Sequence, residues 1–178
     1  MSARTKPCIL FIEDEQNHFA EVSKYLRDRY QLHRVGTKDL PGVGKIAKSL
    51  RPEAAVVDIM LYTCSVEEAQ SQTTEYIQWL EKRIKGDKGP APVTVRTKGK
   101  STECKSGLES IHVLKSVCPS IRVLVCSQLL NRTKENSCSL QAGYCGADAA
   151  VAKHLDGDGN LVNGEQIAAK VRLLIERE

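Results

Sequence analysis

Five short apolar runs, each followed by a segment whose apolar residues recur every three or four positions, constrain this 178-residue chain more than any other feature. CILFI (8–12), YQLHRVG (30–36), the run 54–59, IRVLVCS (121–127) and AAVAK (149–153) read as strands, the second being the weakest. Segments 16–29, 43–50, 107–117, 132–142 and 164–177 read as helices, the first placing Phe19, Val22, Tyr25 and Leu26 on one face. Pro52 stops the second helix, Pro119 follows the third and Gly143 closes the fourth. Strand and helix alternating five times predict an α/β fold, a parallel sheet with helices on both faces.

An apolar content of 41% is enough to give one domain, 1–178, its core. The start, MSARTKPCILFIEDE, has a five-residue apolar segment before acids appear, too short for a signal peptide or a span. A soluble, cytoplasmic protein with no membrane contact is expected. Seven cysteines form no CxxC pair, and Cys8 and Cys126 sit in apolar runs, so neither a disulfide nor a zinc framework is expected.

In a parallel α/β sheet the ligand site lies beyond the carboxyl ends of the strands, where the strand order reverses. Glu13 and Asp14 end the first run, Asp58 the third, Ser127 the fourth and Lys153 the fifth. Asp58 follows AAVV directly, and burying a bare carboxylate costs several kcal/mol. Asp58 must therefore be wetted at a strand end, neutralised or paired with a cation. A hard divalent cation held by Asp14 and Asp58, with Lys153 nearby, meets that need, and Mg²⁺ suits carboxylates, waters and phosphate oxygens. Each residue also has a plainer reading: acids cap helix N-termini, and lysine and serine are common at strand ends.

ILFIEDE, VVDIML, VLVCSQ and GADAAVAK, in that order, resemble the four signature segments of the response-regulator receiver domain. The resemblance implies a flavodoxin-like, doubly wound five-stranded sheet in the order 2-1-3-4-5. It also implies phosphorylation on Asp58 from a phosphohistidine of a histidine kinase or phosphotransfer protein. Glu13 and Asp14 match the acidic pair around Mg²⁺, and the backbone carbonyl of Met60 matches the main-chain metal ligand. Ser127 matches the hydroxyl that contacts the phosphoryl group, and Lys153 the lysine that meets its charge. The family signals by protein contact, promoting only its own phosphorylation and slow dephosphorylation, so an output protein rather than a turned-over substrate is implied.

Departures from the family pattern bear on output. Gln128 follows the hydroxyl position, where a small residue is usual; Ala150 replaces the usual switch aromatic; His154 replaces the usual proline. These changes motivate an alternative, a pseudo-receiver that interacts without phosphorylation. A small phosphohydrolase is a weaker rival, since the DxD pair of one common class is absent at DIM.

Residues 62–106 form an insertion between the third strand and the third helix. Val66, Ala69, Thr73, Ile77, Leu80 and Ile84 predict an amphipathic helix over 66–85. A mobile loop is expected next. From Lys82 to Lys105 eight Lys or Arg oppose Asp87 and Glu103, a local charge of +6 within a chain of net +4. Such a run is ordinarily a solvated segment; a nucleic acid or an acidic protein surface is its other use.

In the family, the side chains two residues past the phosphoacceptor and two past the hydroxyl influence the water that attacks the acyl phosphate. Here they are Met60 and Leu129, neither able to orient water by a strong hydrogen bond. A long-lived acyl phosphate is expected, followed by intact mass over time in Mg²⁺. A half-life of only seconds contradicts it, and polar replacements at both positions should shorten it.

Overall fold

The runs at 8–12, 54–57 and 122–127 become strands buried on both sides, which a sheet covered by helices on both faces provides, whereas the runs at 31–35 and 149–152 form less buried strands at its edges. The computed structural model describes residues 6–59, 78, 82, 107–128, 130 and 146–176. In chain order these form β1 (Cys8–Ile12), α1 (Gln16–Ser23), β2 (Gln31–Val35), α2 (Val43–Leu50), β3 (Ala54–Val57), α3 (Gly107–Val117), β4 (Arg122–Ser127), β5 (Ala149–Ala152) and α4 (Gly164–Glu176). All four strand pairings are parallel, and the order is β2-β1-β3-β4-β5. This is the doubly wound, flavodoxin-like sheet that the family resemblance implied.

Alternation along each strand divides the core in two. Leu10, Ile12, Ala55, Val57, Val123 and Val125 face α2 and α3, meeting Val43, Ala47, Ile111 and Leu114. Ile9, Phe11, Val56, Leu124 and Cys126 face α1 and α4, meeting Val22, Leu26, Ile167 and Val171. Each fully buried Leu or Ile contributes about 1.5–3 kcal/mol relative to exposure. Cys126 is such a core residue, and burial pushes its thiol pKa up.

The first helix is shorter than the expected 16–29, ending at Ser23. The Ser23 hydroxyl donates back to the Phe19 carbonyl at 2.6 Å, a bond that bends helices. From Tyr25 to Tyr30 three-residue bonds (Tyr25 N–H to Val22 O, Leu26 N–H to Ser23 O, Arg29 N–H to Leu26 O) interleave with four-residue ones (Arg27 N–H to Ser23 O, Tyr30 N–H to Leu26 O), so the chain continues as irregular turns. Tyr25 lies off the stripe at 41% exposure while Leu26 stays buried. Phe19 packs edge-on against Phe11, their rings 5.2 Å apart. The α2 helix stops where Arg51 turns left-handed, at φ 48, just before Pro52.

The third strand ends at Val57 rather than at 59, so Asp58 and Ile59 lie past the ladder; Lys153 likewise follows β5 rather than ending it. Of the segment between β3 and α3, Gln78 and Lys82 are helical and exposed. The remainder of the expected helix 66–85, the basic loop and the expected helix 132–142 lie outside the described residues. No described helix is long and apolar enough to cross a membrane.

The chain returns from residues 60–106 directly onto the place it left. A Cβ added to Gly107 would sit 1.9 Å from the Asp58 carbonyl oxygen and 2.7 Å from Ile59 Cα, so only glycine allows the start of α3 to lie against that backbone. Gly107→Ala should cost about 2 kcal/mol or more, because the clash is with main chain that cannot rotate away. Gly157, with nothing within 4 Å of an added Cβ, is the control; Gly157→Ala should stay within about 0.5 kcal/mol. Urea unfolding of the two variants checks this.

Candidate functional site

Because β2 and β3 flank β1 on opposite sides, the strand order reverses at β1, and a crevice opens between the carboxyl ends of β1 and β3. Glu13 and Asp14 leave β1 on one side of it and Asp58 leaves β3 on the other. Their carboxylates each offer an oxygen within 4.8 Å of the others. Lys153, arriving from β5, donates from Nζ to Asp58 Oδ2 at 2.5 Å and to Glu13 Oε2 at 2.6 Å. The sequence candidates Glu13, Asp14, Asp58 and Lys153 therefore meet at one point, whereas Met60 lies outside the described residues. Ser127, fully buried at the end of β4, is joined to Lys153 through the backbone, its carbonyl accepting the Lys153 N–H at 3.2 Å. The Lys153–His154 bond is trans, like every other peptide bond among the described residues.

Burial makes the electrostatics strong. Glu13 and Asp58 are each 6% exposed and Lys153 3%. Burial alone would lower the Lys153 pKa, but the Asp58 and Glu13 carboxylates outweigh it and push it up. Burial alone would raise Glu13, but the His18 hydrogen bond and the Lys153 ammonium hold its carboxyl below the usual range. The second Glu13 oxygen accepts the Glu15 N–H at 3.2 Å. Three carboxylates converge on one ammonium, the environment in which a further cation is favoured. Oxygens around Mg²⁺ at about 2.1 Å lie at most about 4.2 Å apart. A span of up to 4.8 Å closes onto such an ion with a small side-chain adjustment or through one bridging water.

Two supporting residues carry no signature in the sequence. Arg34, on β2, donates to the backbone carbonyls of Glu13 at 3.2 Å and Asp14 at 3.0 Å, fixing the loop that presents both acids. Twenty residues separate Arg34 from Asp14, and nothing local in YQLHRVG distinguishes it. His18, 8% exposed, places Nδ1 3.3 Å from Lys153 Nζ and 3.5 Å from Glu13 Oε1. The Glu13 hydrogen bond raises the His18 pKa, with burial acting against it. The available signal was a polar residue four positions before Val22 on the buried face of α1, just after an acidic pair.

A cavity of about 280 Å³ opens beside Asp58 and Lys153. His18, Asn17 and Gln128 line it, with Asp158, Gly159 and Asn160 from the turn after β5. Ser127 is not among its lining residues. The DGDGN stretch (156–160) is an exposed turn, its Asp156 carboxylate accepting the N–H groups of Asp158 at 3.0 Å and Asn160 at 2.8 Å.

No protein-family model matches the chain, and no curated protein matches it in sequence. Among solved structures it is similar to the BeF3-activated receiver domain of DrrB, at 17% identity over 97% of this chain and 100% of that one, with a TM-score of 0.58. It is also similar to the response regulator domain of Thermotoga maritima CheB, at 14% identity over 97% and 98% of the two chains, TM-score 0.57. A CheY-like response regulator receiver domain protein from Methanospirillum hungatei JF-1 gives 16% identity over 97% and 95%, TM-score 0.57. At these identities the likeness is one of fold, and the fold is that of response-regulator receiver domains.

Because the Glu13 pKa is lowered in the folded protein, its ionised form stabilises the fold above the ordinary carboxylate value of 4.5, and that contribution is lost as pH falls through the lower folded value. In chelator, urea midpoints should fall through this acid window. Glu13→Gln should flatten that part of the profile; an unchanged acid limb would show that Glu13, held low by His18 and Lys153, is not the group that produces it.

Proposed function

We propose that this chain is a phosphoacceptor signalling protein of the two-component type, taking a phosphoryl group on Asp58 and acting through protein contact. The observation that carries the reading is the Lys153 ammonium bridging Asp58 and Glu13 beside the cavity, at the point where strand order reverses. On this reading 1–178 is one receiver domain, and 62–106 is an insertion attached at the phosphoacceptor rim, since Gly107 abuts Asp58.

A carboxylate oxygen of Asp58 forms the new bond to phosphorus as the phosphorus–nitrogen bond of a phosphohistidine donor breaks, and the imidazole leaves with the bonding pair. Lys153 already donates to Asp58, so its charge lies where phosphoryl oxygens would gather, and little reorganisation is required. Glu13, Asp14, Asp58 and the Met60 carbonyl would hold Mg²⁺, which supplies charge against the phosphoryl oxygens. Arg34 keeps Glu13 and Asp14 in place through their carbonyls. Ser127 is the hydroxyl that would follow the phosphoryl group. The partners on this reading are a histidine kinase or phosphotransfer protein upstream and an output protein downstream.

A second reading, a phosphorylation-independent interaction module, is favoured by one observation: Gln128 lines the cavity through which a donor would approach Asp58. Intact-mass measurement after incubation with phosphoramidate and Mg²⁺ separates the two. The parent should gain one phosphoryl group, Asp58→Asn none, and Lys153→Gln should react about a hundredfold more slowly. Asp14→Asn should weaken Mg²⁺ binding. A folded parent that gains no mass supports the interaction module instead.

A further inference from the structure

His18 sits in the acidic centre, yet neither the fold nor the phosphotransfer reading requires a histidine there. Its ring is held from both sides. Nε2 lies 3.1 Å from the Gly159 carbonyl, which can only accept, so Nε2 carries a proton. Nδ1 lies 3.3 Å from Lys153 Nζ and 3.5 Å from Glu13 Oε1. A lone pair there accepts from the lysine and a proton there donates to the carboxylate, so the ring is clamped in either protonation state.

The Gly159 end belongs to a small, stiff hairpin. Asp156 and Asn160 pair through Asp156 N–H to Asn160 O at 3.0 Å, Leu155 and Leu161 form an antiparallel bridge, and Val162 N–H donates to His154 O at 2.9 Å. The Asp156 side chain closes the turn, and Gly159 holds a left-handed φ of 82, which other residues rarely adopt. Asn163 anchors the base, donating to Ala152 O at 2.9 Å and accepting from His154 N–H at 3.0 Å. Bonded across its width, the hairpin responds to a pull on Gly159 as a unit. Its outer face carries Val162, 61% exposed, and His154.

We propose that His18 is a positioning residue that couples Lys153 to the hairpin 154–162, so that the occupancy of Asp58 is read at the outer face of that hairpin. The inference rests on the phosphoacceptor reading. An ammonium has three N–H donors, and Lys153 Nζ faces Asp58 Oδ2, Glu13 Oε2 and His18 Nδ1. A phosphoryl group on Asp58 adds charged oxygens that draw one of those donors away. The contacts to carboxylates are short and charge-assisted, whereas that to His18 is the longest of the three, so it yields first. The ring then relaxes, and its bond to Gly159 carries the change to the hairpin.

The test uses the full ¹⁵N-labelled chain with Mg²⁺, with and without beryllofluoride, alongside intact-mass assays with phosphoramidate. Asparagine places its amide where Nδ1 stands and glutamine where Nε2 stands, so each variant keeps one side of the clamp. In the parent, the amide resonances of Gly159 and Asn160 should move on occupancy. His18→Asn, which loses the Gly159 bond, should abolish that movement. His18→Gln, which keeps it but loses the group beside Lys153, should also abolish it and should take up phosphoryl groups about tenfold more slowly than His18→Asn. Parent hairpin resonances that stay fixed, or a His18→Asn or His18→Gln hairpin that responds like the parent's, overturn the proposal; because Gly159 and Asn160 themselves line the cavity, the amide of Val162, which does not, is read beside them, and where one variant unfolds the other decides. A parent that gains no phosphoryl mass overturns the phosphoacceptor reading and this inference with it, an outcome the mass spectrum distinguishes from a silent hairpin.

Discussion

Lys153 holds two buried carboxylates that would otherwise repel each other across the crevice. Glu13 and Asp58 are almost fully buried, and without the ammonium between them each would protonate or draw in water. That single contact joins β1, β3 and β5, three strands of the sheet that are distant in sequence. It also explains why the sheet can end in acids after strands as apolar as AAVV: the charge is compensated at the first position past the ladder, where Asp58 N–H still bonds to Ile12 O at 2.9 Å.

The surrounding structure limits how far that contact can shift. Arg34 grips the backbone beneath Glu13 and Asp14 from one side, and Gly107 lies against the backbone of Asp58 from the other. Acids placed on short loops would ordinarily separate under mutual repulsion, but here the backbones carrying them are fixed by main-chain contacts that their charge does not weaken. Three carboxylates are thereby kept within 4.8 Å of one another in a small volume, an arrangement that favours a cation.

The polar side of the cavity has a different character. Asn17, Gln128 and Asn160 border the cavity beside Asp58 with neutral amides, while Glu15 and Asp158 add two further acids. The hairpin 154–162, closed by its own side chains, forms one wall of that approach and also faces solvent.

Much of this was legible in the sequence because it depends on local periodicity. The helices 43–50 and 107–117 coincide with their apolar spacing, and the strands begin and end within two residues of their apolar runs, because burial on both faces requires such runs. The acids and the lysine at the strand ends were legible for the same reason: a parallel sheet places its strand ends on one rim, whatever the strand order. Tertiary structure decided what periodicity cannot encode. The helix at 16–29 stopped at Ser23 because a side-chain hydroxyl competed for a backbone carbonyl, turning Tyr25 outward. Arg34 and His18 became parts of the centre through contacts across 20 and 135 residues, and Gly107 became indispensable only because α3 starts against the Asp58 backbone. A pattern of apolar and polar residues specifies which faces are buried; which polar groups meet inside the crevice depends on distances that exist only once the five strands lie side by side.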